Sequence, residues 1–237
     1  MRIIGVEVAG GSPVFSRTLP HGVEPHRLVW ERGYRVVRPL SINGCAPDLS
    51  LTVQVARHGR RVHPRLAPRT RSMDPDLELT EDITPIVRQR LAAYTIALSS
   101  RGILATQFSS KTAVPGLWGL PGGGIDAGEA AAQAVIREVD EETGQRLEIA
   151  HLLDLQTDHW IGRSPNGLIE DFHAVRIIFA GRCPEPTTPV VNDIGGTTSA
   201  AAWIPISRWA TTRWSASARS LLERHLQPLV EAELAAG

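Results

Sequence analysis

Three carboxylates stand at 138, 141 and 142 in the run Arg137-Glu138-Val139-Asp140-Glu141-Glu142-Thr143-Gly144. On a helix, spacings of three and four residues bring side chains to one flank, so Glu138, Glu141 and Glu142 converge while Asp140 points elsewhere. Like charges so crowded repel one another, and in the sequence only Arg137 is close enough to offset them. A hard divalent cation neutralises such a group best. Mg²⁺ takes oxygen ligands, keeps several waters and is commonly shared between carboxylates and substrate phosphates. A solvated acidic face on a surface helix has the same composition. The segment ahead of the helix, Gly122-Gly123-Gly124-Ile125-Asp126-Ala127-Gly128-Glu129, favours the cation. Glycines between a strand and a helix let backbone carbonyls and amides approach a metal or phosphate closely.

The elements that must hold these groups are legible on both sides. Asp126 is placed to cap the helix, Glu129 to lie in its first turn, and Gly144 to stop it in a left-handed turn. Ala132, Val135, Ile136 and Val139 repeat at i, i+3, i+4 and i+7, which predicts a core-facing stripe. Upstream, 91–98 and 102–107 flank Ser99-Ser100-Arg101 and predict a hairpin, and 117–120 is a third extended piece ended by Pro121. Downstream, 147–155, 172–180 and Trp203-Ile204 read as strands. A closing amphipathic helix over about 215–234 carries Leu221, Leu222, His225, Leu226, Leu229 and Val230 on one stripe. Strands interleaved with two clear helices predict an α/β chain of α+β type, a mixed sheet covered by helices and not a doubly wound parallel one.

A glycine, five residues, Glu, seven residues, Arg-Glu, an aliphatic residue, any residue, Glu-Glu, any residue and Gly are met by Gly123, Glu129, Arg137-Glu138-Val139, Glu141-Glu142 and Gly144. This pattern resembles the signature of the Nudix hydrolases. The lead-in Gly116-Leu117-Trp118-Gly119-Leu120-Pro121-Gly122-Gly123 and the late Ala202-Trp203-Ile204-Pro205 are similar to the family as well, so the resemblance covers 86–237. Three positions depart from it. Gln145 stands where members usually have an aliphatic residue, Gln107 where many have Arg, and Ser199-Ala200-Ala201-Ala202 where many have a Glu.

The resemblance implies a Nudix-like mixed sheet sandwiched between helices. It also implies Mg²⁺-dependent hydrolysis of a phosphoanhydride in a nucleoside diphosphate linked to another moiety, with Mn²⁺ as a substitute. By the same resemblance, Glu138, Glu141, Glu142 and the carbonyl of Gly122 hold the metal, and Glu138 is the base or water-positioning group. Arg137 stands beside it in the catalytic set and, with Glu129, holds loop and helix in place. Gly123, Glu129 and Gly144 are structural positions of the motif. Lys111, the chain's one lysine, and Trp160, after the post-signature strand, are the candidate substrate contacts. Glu170, Asp171 and Asp193 are candidate later carboxylates or turn residues. No marker selects the nucleotide. Alternatives are an ADP-ribose pyrophosphatase specifically, a non-catalytic nucleotide-sensing regulator on the same fold, and an isomerase whose catalytic residues the sequence does not place.

Composition bounds the rest. A chain of 237 residues with zero formal charge, 42% hydrophobic and 21% charged residues is not a disordered polyelectrolyte. Cys45 and Cys183 lack the spacing of a metal or redox motif and are expected reduced, buried and inert. Glu7 interrupts any signal-peptide core, and no apolar run approaches the ~20 residues that span a bilayer, so a cytoplasmic protein without a membrane partner is expected.

Residues 1–85 hold 12 Arg against 9 acids, and 86–237 hold 13 basic residues against 16 acids, which suggests two domains, 1–85 and 86–237. Arg57 to Arg71, with six Arg, two His, two Pro and no aromatic, reads as a solvated linker and not a nucleic-acid patch, with a phosphate-facing loop that grips substrate as the alternative. Strand-like 27–30, 34–37 and 49–56 predict a small β-rich module over 1–85. Such a module is marginal alone and is expected to dock on the hydrolase domain or a second subunit, with a homodimer as one outcome and an independent tethered domain as the alternative. His151, His159 and His173 lack a metal-binding spacing and read as structural.

Overall fold

The computed structural model describes residues 1–59, 72–74, 77, 84–164, 167–193 and 195–236. Most of the arginine-rich stretch lies outside them. In chain order the elements are β1 (Arg2–Val6), β2 (Pro13–Thr18), α1 (Pro25–Trp30), β3 (Tyr34–Asn43), β4 (Ser50–Arg57), β5 (Ser72–Met73), β6 (Ile86–Ser99), β7 (Gly102–Phe108), β8 (Trp118–Gly119), β9 (Gly122–Gly124), α2 (Ala131–Thr143), β10 (Glu148–Arg163), β11 (Ile169–Arg182), β12 (Thr198–Ile204), a 3-10 turn (Ile206–Thr211) and α3 (Ala216–Ala236).

The N-terminal sheet has strand order β2-β1-β4-β3, with β1 parallel to β4 and the outer pairs antiparallel. Strand β4 is its clearest case of cause and effect: Leu51, Val53 and Val55 are buried while the alternate residues Thr52, Gln54 and Ala56 are not, the period-two pattern of a strand with one face on the core. In β3 the alternation fails. At the register shift between Val36 and Arg38 the two successive residues Val37 and Arg38 are both exposed, although the apolar character of Val37 predicts burial. The segment 27–30, expected as a strand, is the end of helix α1. Pro25 fits the first helical turn, the Glu24 carboxylate accepts the Arg27 N–H at 2.7 Å as an N-cap, and Pro25, Leu28 and Val29 form the buried face at helical spacing.

The larger sheet runs β12-β7-β6-β11-β10-β5, with β8 on β7 and β9 on β6. The expected hairpin is present, Leu98 opposite Ile103 and Ser99 opposite Gly102. Antiparallel pairs dominate, and β10 runs parallel to β5, so the sheet is mixed and the fold α+β. The centres of its core strands are apolar, Ile96 and Ala97 in β6, Ile103 to Ala105 in β7, Val175, Ile177 and Ile178 in β11, with Thr95, Thr106 and His173 as buried polar neighbours. Helix α3 is capped by Ser215, whose hydroxyl accepts the Ala218 N–H; of its expected stripe Leu221, Leu222 and Leu226 are buried, and His225, Leu229 and Val230 half-buried.

Two compact units divide the chain: Met1–Ala92 with Gly124–Ala131 and Leu152–Ile177, and Ala93–Gly123 with Ala132–His151 and Ile178–Gly237. Inside the first, the N-terminal residues engage the loop of the signature: Ala46 N–H donates to the Glu129 carbonyl at 2.9 Å, and Gly128 N–H donates to the Ala46 carbonyl at 2.8 Å. Of the cysteines, Cys183 is buried, and burial, helped by Glu148, pushes its thiol up to about 11, which makes it inert. Cys45 corrects the expectation. It is exposed, because the turn after β3 buries its neighbour Ala46 instead. No helix among the described residues is long and apolar enough to cross a membrane.

Candidate functional site

Helix α2 starts at Ala131, later than the sequence suggests. Asp126 does not cap it. Instead the Glu129 carboxylate reaches back within the preceding loop to accept the Asp126 N–H at 3.1 Å, so Glu129 shapes the loop. The buried face is also rotated. Ala131, Ala134, Val135, Val139, Glu142 and Thr143 turn inward, whereas Ile136 is 44% exposed and Ala132 half-buried. Small Ala134 lets the helix seat on that side, which leaves Ile136, about 200° further round, on the outside. Gly144 does end the helix, at φ +62° with its N–H on the Asp140 carbonyl at 2.8 Å.

That rotation sets the depth of each carboxylate. Glu141 is the most open, Glu138 is largely covered, and Glu142 is 8% exposed. One Arg137 nitrogen bridges the first two, donating to Glu138 Oε1 at 3.0 Å and to Glu141 Oε2 at 3.1 Å. Glu142 is fixed by two donors, the Gly122 N–H to Oε2 at 2.9 Å and the Thr198 hydroxyl to Oε1 at 2.5 Å. Burial pushes its carboxyl up to about 7, the two hydrogen bonds oppose this, and the nearby charges of Glu138 and Asp193 add to it. A buried carboxylate short of positive charge, beside two more on the same helix flank, fits a divalent cation.

The glycines fit the same purpose. A Cβ on Gly123 would sit 2.5 Å from the Glu138 carboxylate, and one on Gly122, at φ +137°, would sit 2.2 Å from the Ala93 carbonyl oxygen. Gly122, Gly123, Arg137, Glu138, Glu141 and Glu142 are therefore gathered in one compact unit, together with Asp193, whose N–H donates to the Glu141 carbonyl at 3.0 Å. Sequence reasoning did not find Thr198. A lone threonine 56 residues beyond its partner carries no local signal.

The departure at Gln145 is accommodated in kind. Its buried amide donates to the Thr187 hydroxyl at 2.8 Å and accepts the Thr187 N–H at 3.0 Å. Thr187→Val, which keeps the shape and removes the hydroxyl, is expected to lower the unfolding free energy by about 1–2 kcal/mol. Urea unfolding checks this, and an unchanged midpoint would contradict it.

The remaining candidates have partners of their own. Lys111 donates its ammonium to the Gly195 carbonyl, and Gln107 donates to the Gly116 carbonyl at 3.0 Å. Trp160 belongs to the other compact unit and packs its ring on Phe172, centroids 4.6 Å apart. Glu170 pairs with Arg88 at 3.0 Å. Asp171 joins a histidine cluster that the linear spacing hides: its Oδ1 lies 2.8 Å from His21 Nε2 and 2.6 Å from His159 Nε2, with His173 beside them. Burial alone would raise the Asp171 carboxyl, but the hydrogen bonds and charge of the two imidazoles hold it below the ordinary range. Burial, with the charges of His21 and His159, brings His173 down to about 4.

A family model for the NUDIX domain matches residues 88–225, more than half of the chain. The chain belongs to the Nudix hydrolase family. Nudix hydrolases generally use a divalent metal, in keeping with the donor set on α2. Among relatives, the nucleoside triphosphatase NudI of Enterobacter sp. (strain 638) is 32% identical over 96 residues, 39% of this chain and 68% of that protein. The NAD-capped RNA hydrolase NudC of Pseudomonas aeruginosa (strain LESB58) is 36% identical over 85 residues, 36% of this chain and 29% of that protein. Among solved structures, the MutT NUDIX hydrolase of Burkholderia pseudomallei aligns over 58% of this chain and 98% of its own, at 26% identity and a TM-score of 0.45. The chain thus spans about two thirds of the first curated relative and under a third of the second.

Proposed function

We propose that this Nudix enzyme hydrolyses a phosphoanhydride bond in a nucleoside diphosphate linked to another moiety, using Mg²⁺ held by Glu138, Glu141, Glu142 and the carbonyl of Gly122. The observation that carries this reading is the buried, doubly anchored Glu142, raised to about 7, on the same flank as Glu138 and Glu141. When bound, the ion supplies neutralisation of phosphate charge and a water of lowered pKa.

The chain's own residues supply the rest. Thr198 and the Gly122 N–H hold Glu142 in one orientation, so its carboxylate costs no reorganisation at the moment of reaction. Arg137 keeps Glu138 and Glu141 from splaying apart under their mutual repulsion. Glu138 accepts the proton of the attacking water as its oxygen bonds to phosphorus and the bridging P–O bond breaks. The products are a nucleoside monophosphate and the phosphorylated second moiety. Residues 1–85 act in this reading as a module docked on the hydrolase region, which the Ala46 pairing with Gly128 and Glu129 supports.

The test is incubation of the purified protein with a panel of nucleoside diphosphate derivatives, with Mg²⁺ or Mn²⁺ and with excess chelator. Turnover is expected only with metal. Circular dichroism is expected to be unchanged by chelation, because the helix and sheet close without the ion. Full activity in excess chelator would refute the reading.

A further inference from the structure

We propose that His21, His159 and Asp171 form a second cation site, for a borderline divalent ion of the Zn²⁺ class, whose ligands are distinct from the glutamates of α2. The Nε2 atoms of His21 and His159 both converge on the same oxygen, Asp171 Oδ1, at 2.8 and 2.6 Å, and the three ligand atoms all lie within 4.8 Å of one another. The two rings meet edge to face, 87° apart with centroids at 5.2 Å, so each presents its Nε2 from a different direction. Two imidazole nitrogens and a carboxylate oxygen suit Zn²⁺, whereas Mg²⁺ prefers oxygen alone. Metal–ligand distances of ~2.0–2.2 Å set tetrahedral ligand atoms about 3.3–3.6 Å apart, so each imidazole nitrogen needs to move away from the carboxylate oxygen by about 0.5–1 Å.

The surrounding structure aims these groups. Asp171 and His173 lie two residues apart on β11 and so share one face, and His159 comes from β10. His21 arrives from the N-terminal residues after β2, on a turn made possible by Gly22 at φ +70°. A Cβ on Gly22 would sit 2.6 Å from the Cε1 of His159, so glycine alone lets the turn close on that ring. Its N–H donates to His173 Nδ1 at 3.1 Å, and the Gln89 amide lies 2.9 Å from the same nitrogen. His173 is thereby a positioning residue for the His21 turn.

The side chains of His21, His159 and Asp171 remain 25%, 22% and 14% exposed, which leaves water access to complete the coordination. A bound ion would tie the N-terminal turn to β10 and β11 and stabilise the folded chain.

The experiment uses the full chain, stripped with chelator and equilibrated with Zn²⁺ in a large excess of Mg²⁺ so that the glutamates are occupied. After gel filtration, elemental analysis is expected to find one equivalent of zinc, and the thermal midpoint to rise. His21→Gln and Asp171→Asn are expected to lose the zinc, and Glu138→Gln to keep it. A measurement on the parent protein covers the case of a variant that misfolds: on adding Zn²⁺, the imidazole ¹⁵N resonances of His21 and His159 are expected to shift together while those of His151 and His225 stay. No retained zinc in the parent, zinc retained by a folded His21→Gln protein, or unmoved ring resonances would each reduce the trio to a hydrogen-bonded cluster and overturn the proposal.

Discussion

Glu138→Gln is expected to lower kcat by at least ~10² with the fold unchanged. Glutamine keeps the length of the side chain and an oxygen that still accepts from Arg137, whose nitrogen lies 3.0 Å from Glu138 Oε1. What it removes is negative charge and basicity. On the proposed function, the loss falls on proton abstraction and on the cation, not on packing. Steady-state kinetics on the substrate found in the panel, paired with urea unfolding of both proteins, separates the two effects. A variant as active as the parent would place the base on another group.

The two glycines before the loop are expected to fail in different ways. At Gly122, φ is +137° and an added Cβ would meet the Ala93 carbonyl oxygen at 2.2 Å and Tyr94 Cα at 2.6 Å, all backbone atoms of strand β6. Gly122→Ala must strain its own backbone and displace that strand, and is expected to lower the unfolding free energy by at least about 2 kcal/mol. At Gly123 no such backbone conformation is required. The nearest atoms to the added methyl are those of the Glu138 carboxylate, at 2.5 Å, and that side chain can swing aside. Gly123→Ala is therefore expected to keep most of its stability and to lose on the order of 10² in kcat through misplacement of Glu138, the proposed base. Equal stability losses in the two variants, with activity unaffected in Gly123→Ala, would contradict the assigned geometry.

The glutamate cluster was legible because helical spacing is a local rule. Glu138, Glu141 and Glu142 are fixed relative to one another by three and four residues of one helix, and Gly144 by the turn it must make. The rotation of α2 was not legible, because Ile136 and Ala134 compete for the core and only the shape of the neighbouring sheet decides between them. At 27–30 the run Arg-Leu-Val-Trp carries strand propensity, yet Glu24 and Pro25 start a helix there, and the cap outweighs the propensity. Strands β1 and β2 were missed, since Gly5, Pro13, Ser16 and Arg17 dilute the strand signal and pairing with β4 supplies what the segments lack. Long-range partners leave no spacing to read. Thr198 meets Glu142 across 56 residues, and His21 meets Asp171 across 150.

The most direct test of the central claim is anomalous scattering at the manganese edge from crystals of the full chain soaked in Mn²⁺. The account predicts a peak among the carboxylates of Glu138, Glu141 and Glu142. A peak confined to other residues, or none there at saturating Mn²⁺, would contradict it.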